Sequence, residues 1–397
     1  MRHGMWFYMF SLGFRPFFLL AGMFAAVAVP LWGFMYATGA LPFAIWPDSV
    51  VWHGHELVFG YTGAVIAGFL LTAVPNWTKA RPVRAWPLAM LAAIWLAGRV
   101  AMLEAEAYPL AAAIVDLAFL PAIALSLLPA VMRAQSYRNV VFFFILAFLS
   151  VCNLGVHMDM NGAGIEGFEA RILLYGAVHL IALMIVIFGG RVVPMFTRNA
   201  LKLKGQDVNV SVPAVYEKAV IGLSVLAIPA VVLAAVWPMV CGMVLLLAGM
   251  ANLGRMFFWQ GAKTLNMPIV WVLHAGYFWI ALGYLVEGYA LLGDSSLYAL
   301  ALHVMTMGGI GTMTLAMMTR VSLGHTGRPL EVSGWITAAY VVLQLAIVLR
   351  AFGGWLLPEF YVASVGGAAL GWGFAFAVFS RVYFPILLRP RADERPA

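Results

Sequence analysis

Hydrophobic positions in this chain fall in long runs rather than in alternating or one-sided stripes. The clearest run extends from Leu57 to Val74 without a charge and closes on Pro75, Asn76, Trp77, Thr78 and Lys79. At about 1.5 Å per residue it can cross the hydrocarbon core of a bilayer. Similar runs predict twelve spans: 17–36, 57–76, 87–103, 109–131, 140–158, 172–194, 215–235, 238–256, 268–289, 297–318, 334–353 and 361–384. The expected fold is an all-α polytopic membrane protein. No connection is long enough for a separate soluble domain, and the longest runs from about Pro194 to Ala214. The first span follows a lone Arg2 without an A-x-A-like cleavage site, so it is expected to be retained.

Composition agrees. Hydrophobic residues make up 64% and charged residues 10% of the chain, with a mean hydropathy of +0.95. Soluble domains carry about 25% charged residues. All Lys and Arg except Arg99, Arg171 and Arg350 fall on one side of the predicted spans. The positive-inside rule then places both termini in the cytoplasm. The formal net charge of +7 points to contact with an anionic bilayer surface, not with nucleic acid. Cys152 and Cys241 both lie within predicted spans, where they read as packing residues.

A weak threefold repeat runs through the chain. Spans 2, 6 and 10 carry His55, His179 and His303 near one end and Thr78-Lys79, Thr197-Arg198 and Thr319-Arg320 at the other. The spacing suggests four-helix units at 1–138, 139–265 and 266–397.

Ionisable groups inside a bilayer are costly, so their placement is informative. His53, His55, His157, His179 and His303 share one depth, near the outer face. His274 lies toward the inner end of span 9, His325 in an inner loop and His3 at the N-terminus. Neutral imidazoles suit iron or copper, and no carboxylate-rich set is visible beside them. The span histidines are candidate haem ligands. Gly189 and Gly190 follow His179, and Gly308, Gly309 and Gly311 follow His303; these leave room for a flat ring or serve helix packing. His53 and His55 can chelate copper together if the backbone there is extended. The alternative is an interfacial cap with Trp52 at the membrane boundary. Glu56 is placed to orient an imidazole or relay protons, and Glu56 and His157 are the candidate catalytic groups. Arg99 and Arg171 match haem propionates, or pair with Glu104, Glu106 or Glu169. Asp116 is expected to face the bundle interior. An inner-face cluster built on Arg15, Arg191, Arg320 and Arg328 can anchor the protein or bind an anionic or quinone-like headgroup.

Several motifs in order resemble the NnrS family: Phe14-Arg15-Pro16-Phe17-Phe18, WHGHE with GFLLTAVPNWT, GGRVVPMFTRNA (Gly189 to Ala200), LHAGY (Leu273 to Tyr277) and MMTRVSLGHTGRPL (Met317 to Leu330). The resemblance covers nearly the whole chain. It implies a bacterial inner-membrane protein of twelve spans that holds haem b and copper and is linked to nitric oxide and nitrosative stress. The threefold plan also resembles the catalytic subunit of haem–copper oxidases and nitric oxide reductases. By position, that analogy pairs His55 or His53 with His303 around a haem. Span 7 has no histidine, so a binuclear centre on that plan would have to use His157, His179 or His274. Two functions follow as expectations. One is a redox protein that binds or reduces nitric oxide, with a quinol or other electron donor. The other is a transporter or handling protein for metal, haem or a nitrosyl–iron species. No soluble signalling domain supports a sensor.

Overall fold

The computed structural model describes residues 4–133 and 137–393. Arg2, His3 and Arg395 lie outside them. The described residues form helices and connecting turns, with no strand among them. Twelve helices are long and apolar enough to cross a membrane: α1 Phe14–Thr38, α2 Ser49–Thr78, α3 Trp86–Glu104, α4 Pro109–Arg133, α5 Val140–Met160, α6 Ala170–Leu203, α7 Ala214–Val232, α8 Pro238–Phe257, α9 Pro268–Leu292, α10 Ser295–His325, α11 Gly334–Leu356 and α12 Pro358–Leu387. This is a multi-pass membrane protein. Large apolar side chains such as Leu125, Phe144 and Val151 stay exposed on the helices, as lipid-facing residues do.

Local sequence sets the helix ends. Proline opens α4, α8 and α9 at a position whose N–H has no helical partner. Gly39, at φ +70°, ends α1 in the left-handed conformation. The start of α2 departs from the apolar pattern. The helix begins at Ser49, well before Leu57, because the Asp48 side chain accepts from the backbone N–H groups of Val50 and Val51. Trp52 is not a boundary residue. It is buried, and its indole N–H donates to Met102 O at 2.9 Å. The WHGHE stretch is therefore helical and sits inside the protein.

Two spans carry a π-helical stretch directly after a histidine. In α2 it covers Glu56–Thr62, after His55. In α10 it covers Val304–Gly311, after His303. In α2, Thr62 Oγ1 donates to Leu57 O at 2.9 Å, and the wide turn leaves Gly60 O to accept from Trp95 Nε1 at 2.9 Å. Such stretches often mark functional positions.

The chain divides into two compact units. Unit 1 comprises residues 1–177, 318–330 and 372–397; unit 2 comprises 178–317 and 331–371. In unit 1, the start of α1 is tied to α2 by Phe14 N–H donating to Thr72 Oγ1 at 3.0 Å. Trp372 on α12 donates to Ala25 O of α1 at 3.1 Å and packs on Tyr61 of α2. In unit 2, α9 is nearly surrounded. Gly308 and Gly309 of α10 bring that helix against Trp279 and Ile280, and Gly242 and Gly249 of α8 do the same on another side. These glycines serve close helix contact. The space a flat ring would need beside Gly308 and Gly309 is filled by side chains.

Candidate metal centre

Asp116 is the hub of a buried polar cluster in unit 1. Its Oδ2 accepts from Asn153 Nδ2 at 2.7 Å and lies 3.2 Å from His157 Nε2 and 3.3 Å from His55 Nε2. Its Oδ1 pairs with Arg99 Nη2, and Arg99 Nη1 pairs with Glu56 Oε1. Glu56 Oε1 is also 3.1 Å from His55 Nδ1. All these side chains are buried. Trp46, also buried, sets its indole edge-on to both imidazoles, with ring centroids 5.1 Å apart in each case.

Four helices supply the cluster, from near the starts of α2 and α4 and the ends of α3 and α5. His55 and Glu56 sit about two turns into α2, at the junction with its π stretch. Arg99 is in the last turns of α3, and Asp116 about two turns into α4. Asn153 and His157 lie one turn apart on α5, so one face presents both. Gly60 and Gly98 let the helices approach: a β-carbon on Gly98 would touch Asp116 Oδ1 at 3.4 Å.

The donors converge as a metal site requires. His55, Asp116 and His157 each offer a ligand atom, all within 4.8 Å of one another. Donors bound about 2.0–2.2 Å from one ion stand about 3.3 Å apart in a tetrahedral arrangement, the spacing of both Nε2 atoms from Asp116 Oδ2. Proton accounting supports the same conclusion. Both ring nitrogens of His55 face oxygens: Nδ1 faces Glu56, and Nε2 faces Asp116 and, at 2.8 Å, Asn153 Oδ1. A neutral imidazole has one N–H, so a second proton or a metal cation must satisfy the other side. Two carboxylates against one guanidinium leave one net buried negative charge, which is costly unless a cation joins it.

The other candidate residues lie elsewhere. Because α2 is helical through His53 and His55, residues two apart diverge. His53 stacks on Trp32 at 4.0 Å, and the two histidines form no chelate. Arg99 pairs with Glu56 and Asp116, not with Glu104, Glu106 or Glu169. Arg171 pairs with Asp48 at 2.9 Å on the surface. The two carboxylates of the cluster are the set that linear sequence did not display. In unit 2, His179 Nε2 lies 3.0 Å from Glu287 Oε2, with both side chains buried. His274 Nε2 is 2.8 Å from Thr197 Oγ1. His303 donates Nδ1–H to Ala299 O at 2.7 Å, one turn back on its own helix.

Sequence reasoning placed Asp116 inward without a partner and passed over Asn153, Trp46 and Glu287. One signal was available. Asn153 and His157 are four residues apart in a mostly apolar helix, so they share a face.

Twelve apolar helices, with a buried histidine–carboxylate cluster in unit 1, define a multi-pass membrane protein with a candidate metal site. The NnrS protein family model matches residues 8–391, nearly the whole chain, and the chain belongs to that family. No curated protein matches the sequence.

Proposed function

We propose that the protein holds a single transition-metal ion, copper in the first place, between His55 Nε2, His157 Nε2 and Asp116 Oδ2, and uses it in nitric oxide chemistry within the bacterial inner membrane. The observation that carries this reading is the convergence of two imidazoles and a carboxylate in a buried site where two carboxylates face one guanidinium. Mixed N and O donors suit copper, iron or zinc. Monovalent copper with two neutral imidazoles would bring the charge sum of the site to zero. Membership of the NnrS family supports copper and nitric oxide as metal and ligand. When bound, copper supplies a redox-active position for a small ligand.

The protein's own groups do the positioning. Glu56 accepts Nδ1–H of His55, which turns Nε2 toward the ion as a lone-pair donor. Arg99 ties both carboxylates in place. Asn153 holds Asp116, and Trp46 closes the site against larger ligands. A closed site of this kind suits a resident ion better than a cargo ion, which favours redox chemistry over transport.

Haem b, the other cofactor that the family suggests, does not fit at His55, whose ring is enclosed by Trp46, Phe59, Asn153 and Asp116. The glycines after His303 pack on Trp279 and Ile280, so they open no slot for a haem there either. With positive-inside orientation, both termini are cytoplasmic and the metal centre lies in the outer half of the membrane.

The test is elemental analysis with optical and paramagnetic resonance spectra of the purified protein, before and after nitric oxide. About one copper per chain, lost in His157→Ala, is expected. Protein that carries no transition metal after expression in copper-supplemented medium would overturn the proposal.

A further inference from the structure

A second site lies at the other end of unit 1, on residues the metal centre does not use. Arg15, the second residue of α1, is fully buried. Its Nη1 donates to Leu387 O at 2.6 Å and to Arg389 O at 2.8 Å. Among the described residues, its Nε and Nη2 have no hydrogen-bond partner. These two nitrogens form one edge of the guanidinium, with two parallel N–H groups spaced to grip two oxygens of a phosphate or carboxylate. A buried charged donor edge without an acceptor is costly, and native proteins rarely leave one so.

No carboxylate among the described residues offsets the charge. Among the described residues, the titratable groups that act on Arg15 are Arg328 and Arg391, both cationic, and the Tyr8 phenol, which is neutral at pH 7. Arg391 is committed to Asp393 at 2.6 Å and to His325 O at 2.9 Å. Arg328 reaches Thr326 O at 3.3 Å. The backbone adds to the positive potential. Arg15 stands in the first turn of α1, whose Gly13 cap contributes no side-chain acceptor. The start of α1 and the ends of α10 and α12 meet here, at the depth where a span emerges from the hydrocarbon and phospholipid phosphates lie.

We propose that Arg15 is the floor of an oxyanion site that binds a phosphate group through its Nε–H and Nη2–H edge, with Arg328 and Arg391 as flanking cations. The phosphate is carried by a membrane phospholipid or is a free anion. The non-helical segment after Leu387, which supplies the Arg389 carbonyl, covers the guanidinium and moves aside for a lipid headgroup to enter.

The experiment uses the full chain, purified in detergent and delipidated. Thermal unfolding and native mass spectrometry are followed with added phosphatidylglycerol, with diacylglycerol of the same acyl chains, and with inorganic phosphate. Phosphatidylglycerol should raise the unfolding temperature and remain bound, and diacylglycerol should do neither. Stabilisation by inorganic phosphate alone would identify the free anion as the source. Arg15→Lys, a point charge without the planar fork, should weaken binding at least tenfold, and Arg328→Gln should weaken it by less. Lys202→Gln, an exposed cation in unit 2, should bind as the parent protein does. If phosphate-bearing probes stabilise the unmodified protein no more than diacylglycerol, the site does not exist, whatever the variants do. Parent-like affinity in a folded Arg15→Lys, or equal losses in Lys202→Gln and Arg328→Gln, would also overturn it.

Discussion

Arg99 lies where a side chain on Gly60 would stand: its Nη1 is 2.6 Å from the position of a β-carbon there. The close approach lets one guanidinium reach carboxylates on two other helices. Gly60→Ala should therefore displace Arg99. The expected loss is about 1–3 kcal/mol of stability from overpacking, offset in part by the roughly 1 kcal/mol that alanine gains over glycine in a helix. Metal affinity should fall with it. Thermal unfolding and copper titration of the purified variant measure the two effects. Unchanged copper affinity would show that Arg99 does not position Asp116.

Asp116 separates charge from shape. Asp116→Ala leaves Arg99 and both histidines without their shared acceptor and should cost about 3–5 kcal/mol. Asp116→Asn keeps a side-chain oxygen and brings the metal-free charge sum to zero, so the metal-free protein should lose clearly less. Both variants should lose the ion. Denaturant unfolding of the metal-free forms, beside elemental analysis, gives the ranking. Equal destabilisation would argue against a charge deficit in the cluster.

His55 and His303 should part company spectroscopically. His55→Ala is expected to lose copper and leave any haem absorption intact, because nothing around His55 admits a porphyrin. His303→Ala should keep copper, because His303 offers no ligand atom to the cluster. Loss of both signals in both variants, with folding intact, would return the two histidines to a shared centre.

Asp48 gives a pH signature outside the membrane. Burial raises its pKa, but hydrogen bonds from Arg171 and from the backbone N–H groups of Val51 and Val50 outweigh that and hold it below the usual value. A lowered folded-state pKa contributes stability above the unfolded value near 3.9, and that stability is lost as pH falls below it. Asp48→Ala should cost about 1 kcal/mol at neutral pH through the lost helix cap and flatten the profile below about pH 4. Arg171→Gln should cost less, because that pair is exposed. Unfolding temperatures from pH 3 to 7 test both.

Orientation is open to a direct measurement. A reporter fused after residue 397 should be active only in its cytoplasmic form, and one in the loop from Asp159 to Glu169 only in its periplasmic form. The opposite pair of results would invert the membrane placement of the metal centre.

The twelve spans were legible because long apolar runs admit no other reading. The start of α2 was not, because the Asp48 cap and the burial of Trp52 extend the helix through residues that look like an interfacial loop. His55, Glu56, Arg99 and His157 stood out as polar groups at one end of their spans. Their partnership could not be read, since it is made between helices tens of residues apart in sequence. Asn153, neutral, gave no charge to notice. The glycines after His303 left two readings open. Small residues signal close approach, but sequence does not say whether a ring or a neighbouring helix makes it.

The π stretch at Glu56–Thr62 has a consequence for how α2 tolerates change in length. Successive residues of an α-helix point about 100° apart around its axis. A wide turn that accommodates an extra residue shifts the phase of the two halves of α2 by about that angle. His55 can thus face Asp116 while Tyr61 and the helix beyond it keep their own contacts. Deleting one residue within Glu56–Thr62 would restore an unbroken α-helix of nearly the same length and hydropathy. It would still span the membrane, but with His55 swung out of the cluster. The protein's chemistry and its insertion into the bilayer therefore depend on different properties of the same helix, its phase and its apolar length.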